Sequence, residues 1–142
     1  MKVRSVIAIL AGGLVWMFTF PLLVGLVTTV WPSLREAVQV FRNTGRFNVF
    51  GSTSMLIAFQ VLWLLTNGTA GLVTALISKR KTEVLILMGI LVAWFAYNHF
   101  WAEWDQFPVW YNVLVVVFVA PMVVVGGMIP ELVRSQRKSG NQ

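Results

Sequence analysis

Cysteine is absent from the 142-residue sequence, histidine occurs once and acidic residues occur five times. Without thiols there is no disulfide, no thiolate metal site and no cysteine nucleophile. A single imidazole excludes a haem held between two histidines of this chain, and it is a poor start for a catalytic zinc site, which takes several well-placed ligands. Charge as a whole is scarce: 11% of the residues are charged and 58% are hydrophobic, far from an average soluble composition. A water-soluble fold of this length cannot hide so much apolar surface. The few charges avoid the long apolar runs, so the buried acids that general acid–base catalysis or proton coupling would use are missing from them. The chain therefore reads as a non-enzyme.

What is present is length and oiliness. Residues 6–31, 53–78, 84–101 and 110–129 form four stretches almost free of charge, each close to or above the roughly 18 to 20 residues that cross a hydrocarbon core. The expected fold is an all-α integral membrane protein. It is one membrane domain over residues 1–142, a bundle of four transmembrane helices with a short amphipathic helix, about 34–42, in the first external loop. The first stretch follows Lys2 and Arg4 as a signal peptide would, but it is too long and lacks a small-x-small cleavage pattern, so it counts as a span. As a helix it is about 39 Å long, so it should tilt or bend, with a kink at Pro21 where a backbone donor is lost.

Lysine and arginine set the orientation, because positive flanks resist translocation. Lys2, Arg4, Lys79, Arg80, Lys81, Arg134, Arg137 and Lys138 fall on one side of the predicted bundle, and Arg35, Arg42 and Arg46 on the other. Eight against three puts both termini in the cytoplasm of a bacterial inner membrane. The net charge of +6 sits at span ends rather than on one folded face, which suits anionic lipid headgroups and argues against a nucleic-acid partner.

In the first loop, Pro32 precedes Ser33, and Glu36 follows three residues later, the spacing of a capping box. Leu34, Ala37, Val38 and Phe41 then share one face of the short helix, which either lies on the bilayer, covers a partner or packs on its own bundle. The second span carries Gln60, Asn67 and Thr74 at seven-residue steps, with Gly71 and Ala75 as a small-xxx-small pair beside them. Amides and small residues at membrane depth need company, so this face should point into the bundle or at another protein. Lys79 to Lys81 form a basic turn after which Thr82 can cap the third helix, with Glu83 placed favourably at its positive end.

Trp16, Trp63 and Trp94 fall near the middles of the first three spans, away from the interface where tryptophan gathers. They either pack as ordinary core or line a cleft for a lipid, quinone or pigment. The stretch YNHFWAEWDQF, residues 97–107, holds His99, with Glu103 four residues on and Asp105 beyond. It suggests a metal site, an axial ligand for a pigment, or an interfacial belt made with Trp31, Trp101, Trp104, Trp110, Tyr97 and Tyr111, in which His99 bonds Glu103, Asn98 or water.

The glycine-rich run Gly68-Thr-Ala-Gly71-Leu-Val-Thr-Ala-Leu-Ile-Ser-Lys-Arg-Lys81 enters a basic turn, the fourth span opens with Pro108-Val-Trp110-Tyr111, and it continues through Pro121 and Gly126-Gly127. In this plan the chain resembles small, mostly uncharacterised bacterial membrane proteins with four spans. Gln106-Phe107 stands where that group commonly has a histidine before the proline. The resemblance implies a fold and no activity. The unused polar and small faces, with no catalytic apparatus, point to an accessory or scaffold subunit packing against other membrane subunits or itself. Binding or transport of a lipophilic molecule is the first alternative, and a metal-dependent enzyme using His99 and Glu103 the second.

Overall fold

A computed structural model describes residues 3–45, 52–102 and 104–139, and shows four long helices and one short one. Helix α1 is Val3–Val30, α2 is Pro32–Thr44, α3 is Thr53–Ser78, α4 is Lys81–Tyr97 and α5 is Val109–Ser139. A π-helical turn, Asn98–Ala102, extends α4, and a single 3-10 turn, Trp104–Gln106, leads towards α5. Helices α1, α3 and α5, and α4 together with its π-helical extension, are each long and apolar enough to cross a membrane. An all-α four-helix membrane bundle is the architecture.

The helix ends follow local chemistry. Ser52 caps α3 by accepting the Met55 N–H at 3.3 Å, and Lys79, in the left-handed region at φ 58°, ends it with its N–H on the Ala75 carbonyl. The two-residue turn that follows is closed by Ser78, whose hydroxyl accepts the Arg80 N–H at 3.2 Å and donates to the Arg80 carbonyl. Thr82 is therefore not the cap of α4, whose preceding residue is Arg80. The capping box at Ser33 and Glu36 does not form either. Pro32 occupies the first turn, where its missing N–H costs nothing, and the Ser33 hydroxyl accepts the Trp31 indole N–H at 2.7 Å instead.

Arg35 joins α1 to α2. Its guanidinium donates to the Thr28 and Thr29 carbonyls at 2.9 and 3.1 Å, satisfying the last turn of α1, whose carbonyls have no intrahelical donors. Gly45 ends α2 at φ 68°, with its N–H on the Phe41 carbonyl. Helix α1 continues through Pro21 as one helix, although proline leaves the Met17 carbonyl without its usual donor.

Helix α3 is the centre of the bundle, packed along α1 on one side and α5 on another, while α4 closes against α5 and α3. Of the most apolar window of α3, 39% is buried, against 11% for α1. Most of α1 thus faces outward, with Leu10, Leu14, Met17, Phe18, Leu22 and Leu26 exposed, as lipid contact allows.

Contact between α3 and α5 depends on missing side chains. A Cβ on Gly71 would strike the backbone of Val123, and a Cβ on Gly126 would strike the backbone of Gly68. Such backbone-to-backbone approach is how membrane helices gain packing without a hydrophobic driving force. Asn67, Thr74 and Ala75 are buried on the same helix, and Thr74 donates to the Ala70 carbonyl at 2.9 Å and lies 3.4 Å from the Ala8 carbonyl of α1. The polar face of the second span, expected to serve either the bundle or a partner, is used inside the bundle at Asn67, Gly71 and Thr74.

Candidate functional site

One end of the bundle carries Arg4, the Lys79–Lys81 turn and Arg134. The other carries α2 and the turns after α4. Towards this second end aromatic rings fill the space between the helices. Phe20 of α1 stacks on Trp63 of α3 with ring centres 3.6 Å apart. Trp16 stacks on Trp63 at 5.9 Å, and Phe95 of α4 meets both edge-on. Trp16 and Trp63 are thus packed together. Trp94 stays more than half exposed, away from that stack.

Beside the stack lies a cavity of about 390 Å³, within the range of small-molecule sites. Phe20, Phe59, Trp63, Trp94, Phe95, Phe107 and Tyr111 supply its aromatic walls, and Pro21 and Val24 extend it along α1. Helix α2 forms its roof through Val38 and Phe41, with Arg42 at the mouth. The amphipathic face of α2 is turned to the bundle: Leu34 is fully buried, Ala37 is buried and Val38 and Phe41 are half-buried. Among the places expected for this helix, the structure shows it packed on its own bundle.

His99 forms part of the same wall and is only 5% exposed. It does not bond Asn98, whose side chain donates to the Trp94 carbonyl at 2.8 Å. Its Nδ1 lies 2.9 Å from Oδ1 of Asn112 on α5. Asn112 is itself completely buried, and its Nδ2 donates to the carbonyls of Trp104 and Phe107 at 3.1 and 3.4 Å. The imidazole lies parallel to the Phe95 ring and is flanked by Phe107 and Tyr111. The π-helical turn makes this possible, because the wider turn re-aims side chains relative to the α-helix before it.

Tyr111, expected in the interfacial belt, is instead buried at 2% exposure against Phe107 and His99. In the first turn of α5, it packs on the Phe107 ring at 4.9 Å and on His99 of the π-helical turn at 6.0 Å. Tyr97, Trp101, Trp104 and Trp110 are exposed, and Trp31 is half-buried. Asp105 is exposed on the 3-10 turn. Glu103, the proposed partner of His99 in a metal site, lies outside the described residues. No group of three histidine, aspartate or glutamate side chains able to hold a metal occurs among the described residues.

Sequence reasoning missed Asn112. The signal was an amide at the start of an otherwise apolar span, the kind of polar residue that marks function or helix contact at membrane depth. It also missed Phe20, Phe59 and Phe95, which no periodicity distinguishes from ordinary core. Gln60 is half-buried, and its amide, like the Trp16 indole N–H and the Asn67 carbonyl oxygen, has no hydrogen-bond partner among the described residues.

A second cavity of about 280 Å³ lies at the opposite, basic end, between Lys79, Arg80, Lys81 and Arg134. Its charged side chains are exposed and Lys81 is paired with Glu131 at 3.1 Å, so it offers no buried polar group to fix a ligand. No family model, no curated protein and no solved structure matches this chain.

Proposed function

We propose that the protein binds a lipophilic molecule in the aromatic cleft between its helices, beneath α2, and that it does so without catalysing a reaction on it. The observation that carries this reading is the cavity of about 390 Å³, walled by seven aromatic side chains and containing one buried imidazole. A largely apolar pocket with few convergent polar groups is the usual form of a small-molecule site. Its place at the end of the spans opposite the basic turn suits a ligand drawn from the bilayer, such as a lipid, quinone or pigment. The uneven distribution of lysine and arginine supports a bacterial inner membrane with the termini in the cytoplasm and the cleft towards the outer face.

A scaffold role in a larger complex rests on polar and small faces left without partners. With Asn67, Gly71 and Thr74 inside the bundle, that role draws only on exposed apolar surface, which lipid covers equally well. Solvent extraction of the protein purified in mild detergent, followed by mass spectrometry, tests the binding reading. The expected result is one apolar molecule in near-equimolar amount, reduced by Val38→Trp, which fills the cavity from its roof. Recovery of bulk phospholipid alone, unchanged by that substitution, would refute it.

A further inference from the structure

His99 has a direction. The carbonyl oxygens of Trp104 and Phe107 only accept hydrogen bonds, so the end of the Asn112 amide facing them is the NH₂ group. Its other end, Oδ1, therefore faces His99 Nδ1 at 2.9 Å. That oxygen only accepts, so Nδ1 carries the proton. In the neutral ring the lone pair is then on Nε2. Nε2 makes no hydrogen bond among the described residues, yet it is not one of the sealed, unpartnered polar atoms of the core, as Trp16 Nε1 and the Gln60 amide are. His99 lines the cavity, so its bare Nε2 is the acceptor that the ring has for an occupant.

We infer that the ligand is a flat ring bearing a hydroxyl group, a phenol or hydroquinone head, whose O–H donates to His99 Nε2. This rests on the binding reading above and narrows it. A quinone, ketone or ether presents only acceptors, so it would leave the Nε2 lone pair facing another lone pair instead of a donor. The aromatic walls supply the other half of the selection, because Trp63, Phe95 and Phe59 offer faces and edges against which a flat ring packs better than a branched chain. Asn112 acts as a positioning residue: it fixes which nitrogen of His99 is bare without touching the ligand.

The test uses the full chain in detergent micelles and three probes sharing one short alkyl tail: a hydroquinone, the corresponding benzoquinone and the hydroquinone dimethyl ether. Binding is read by tryptophan fluorescence quenching and confirmed by calorimetry. The hydroquinone should bind about tenfold more tightly than either of the others, the effect of one added hydrogen bond. In His99→Phe, which keeps a ring but loses the acceptor, that preference should fall to within about twofold while ether binding persists. Equal binding of all three probes to the natural protein would overturn the hydroxyl requirement and leave the lipophile site standing. Binding of none would bring down both. Nitrogen-15 NMR of the labelled histidine checks the tautomer without any variant: a protonated Nδ1 and bare Nε2 are expected, and a proton on Nε2 overturns the inference. A haem-type absorbance shift that depends on His99 would also overturn it, by assigning the lone pair to a metal.

Discussion

The two halves of the bundle solve the same packing problem in opposite ways. Towards the basic end, α3 and α5 touch backbone to backbone, with Gly71 set against the Val123 backbone and Gly126 against that of Gly68. Towards the aromatic end, Phe20, Phe59, Trp63 and Phe95 fill the space between the helices, and a cavity opens beside them. The small residues close the α3–α5 contact itself, and the cavity beyond it is rimmed by exposed charges; the large rings line a larger cavity that a buried imidazole shares. The glycine-closed α3–α5 contact thus acts as the fixed frame on which the aromatic half can hold a guest.

Substitutions sharpen this contrast in order of size. Gly71→Leu should be the most damaging, because the obstacle is the Val123 backbone rather than a movable side chain. A loss of about 3 kcal/mol or more is expected, seen as failure to assemble or a large fall in Tm in detergent. If Gly71→Leu folded normally, the α3–α5 contact would not be closed. Leu34→Ala comes next. It removes the fully buried anchor of α2 and should cost about 2–5 kcal/mol, while exposing the cavity and weakening ligand retention, which thermal melts with and without bound lipophile would separate. Asn112→Leu should cost about 1–3 kcal/mol by leaving two carbonyls and His99 unpaired. It should also abolish the preference for hydroxyl-bearing ligands, since neither tautomer of His99 is then enforced. At the small end, Gly13→Ala meets no neighbouring atom and should raise stability by about 0.5–1 kcal/mol through helix propensity alone. A destabilising Gly13→Ala would reveal a contact that the contrast between the halves leaves out.

The frame was far more legible in the sequence than the site. Four runs without charge define four spans because a bilayer leaves the backbone little choice but helix, and the amphipathic period around Leu34 and Phe41 identifies α2 from the order of its residues alone. Gly71 and Thr74 announce close contacts, though not that α5 supplies the first and α1 the second, because the partner of a small-residue face is decided by topology. Local signals failed where another local partner won: Ser33 bonds the Trp31 indole two residues before it rather than capping α2, and Ser78 closes the turn onto Arg80 ahead of the helix that Thr82 was expected to cap. Within the site, His99 stood out as the lone imidazole, but its partner was sought nearby in the chain. The actual partner is thirteen residues away, brought beneath it by a π-helical turn that has no sequence period of its own. Trp16, Trp63 and Trp94 were legible as a group and divide in space: two stack, and the third is left beside the cavity.

The central claim, that the aromatic cavity beneath α2 takes an apolar guest, is tested most directly by photolabelling in a native-like membrane. A ring-bearing lipophile with a photoreactive group, activated on the reconstituted protein, should mark peptides containing Val38 and Phe41 of α2 and Phe59 and Trp63 of α3, and excess unlabelled ring compound should compete it away. Label spread instead over the lipid-facing residues of α1, Leu10, Leu14 and Phe18, with no protection by competitor, would contradict the account.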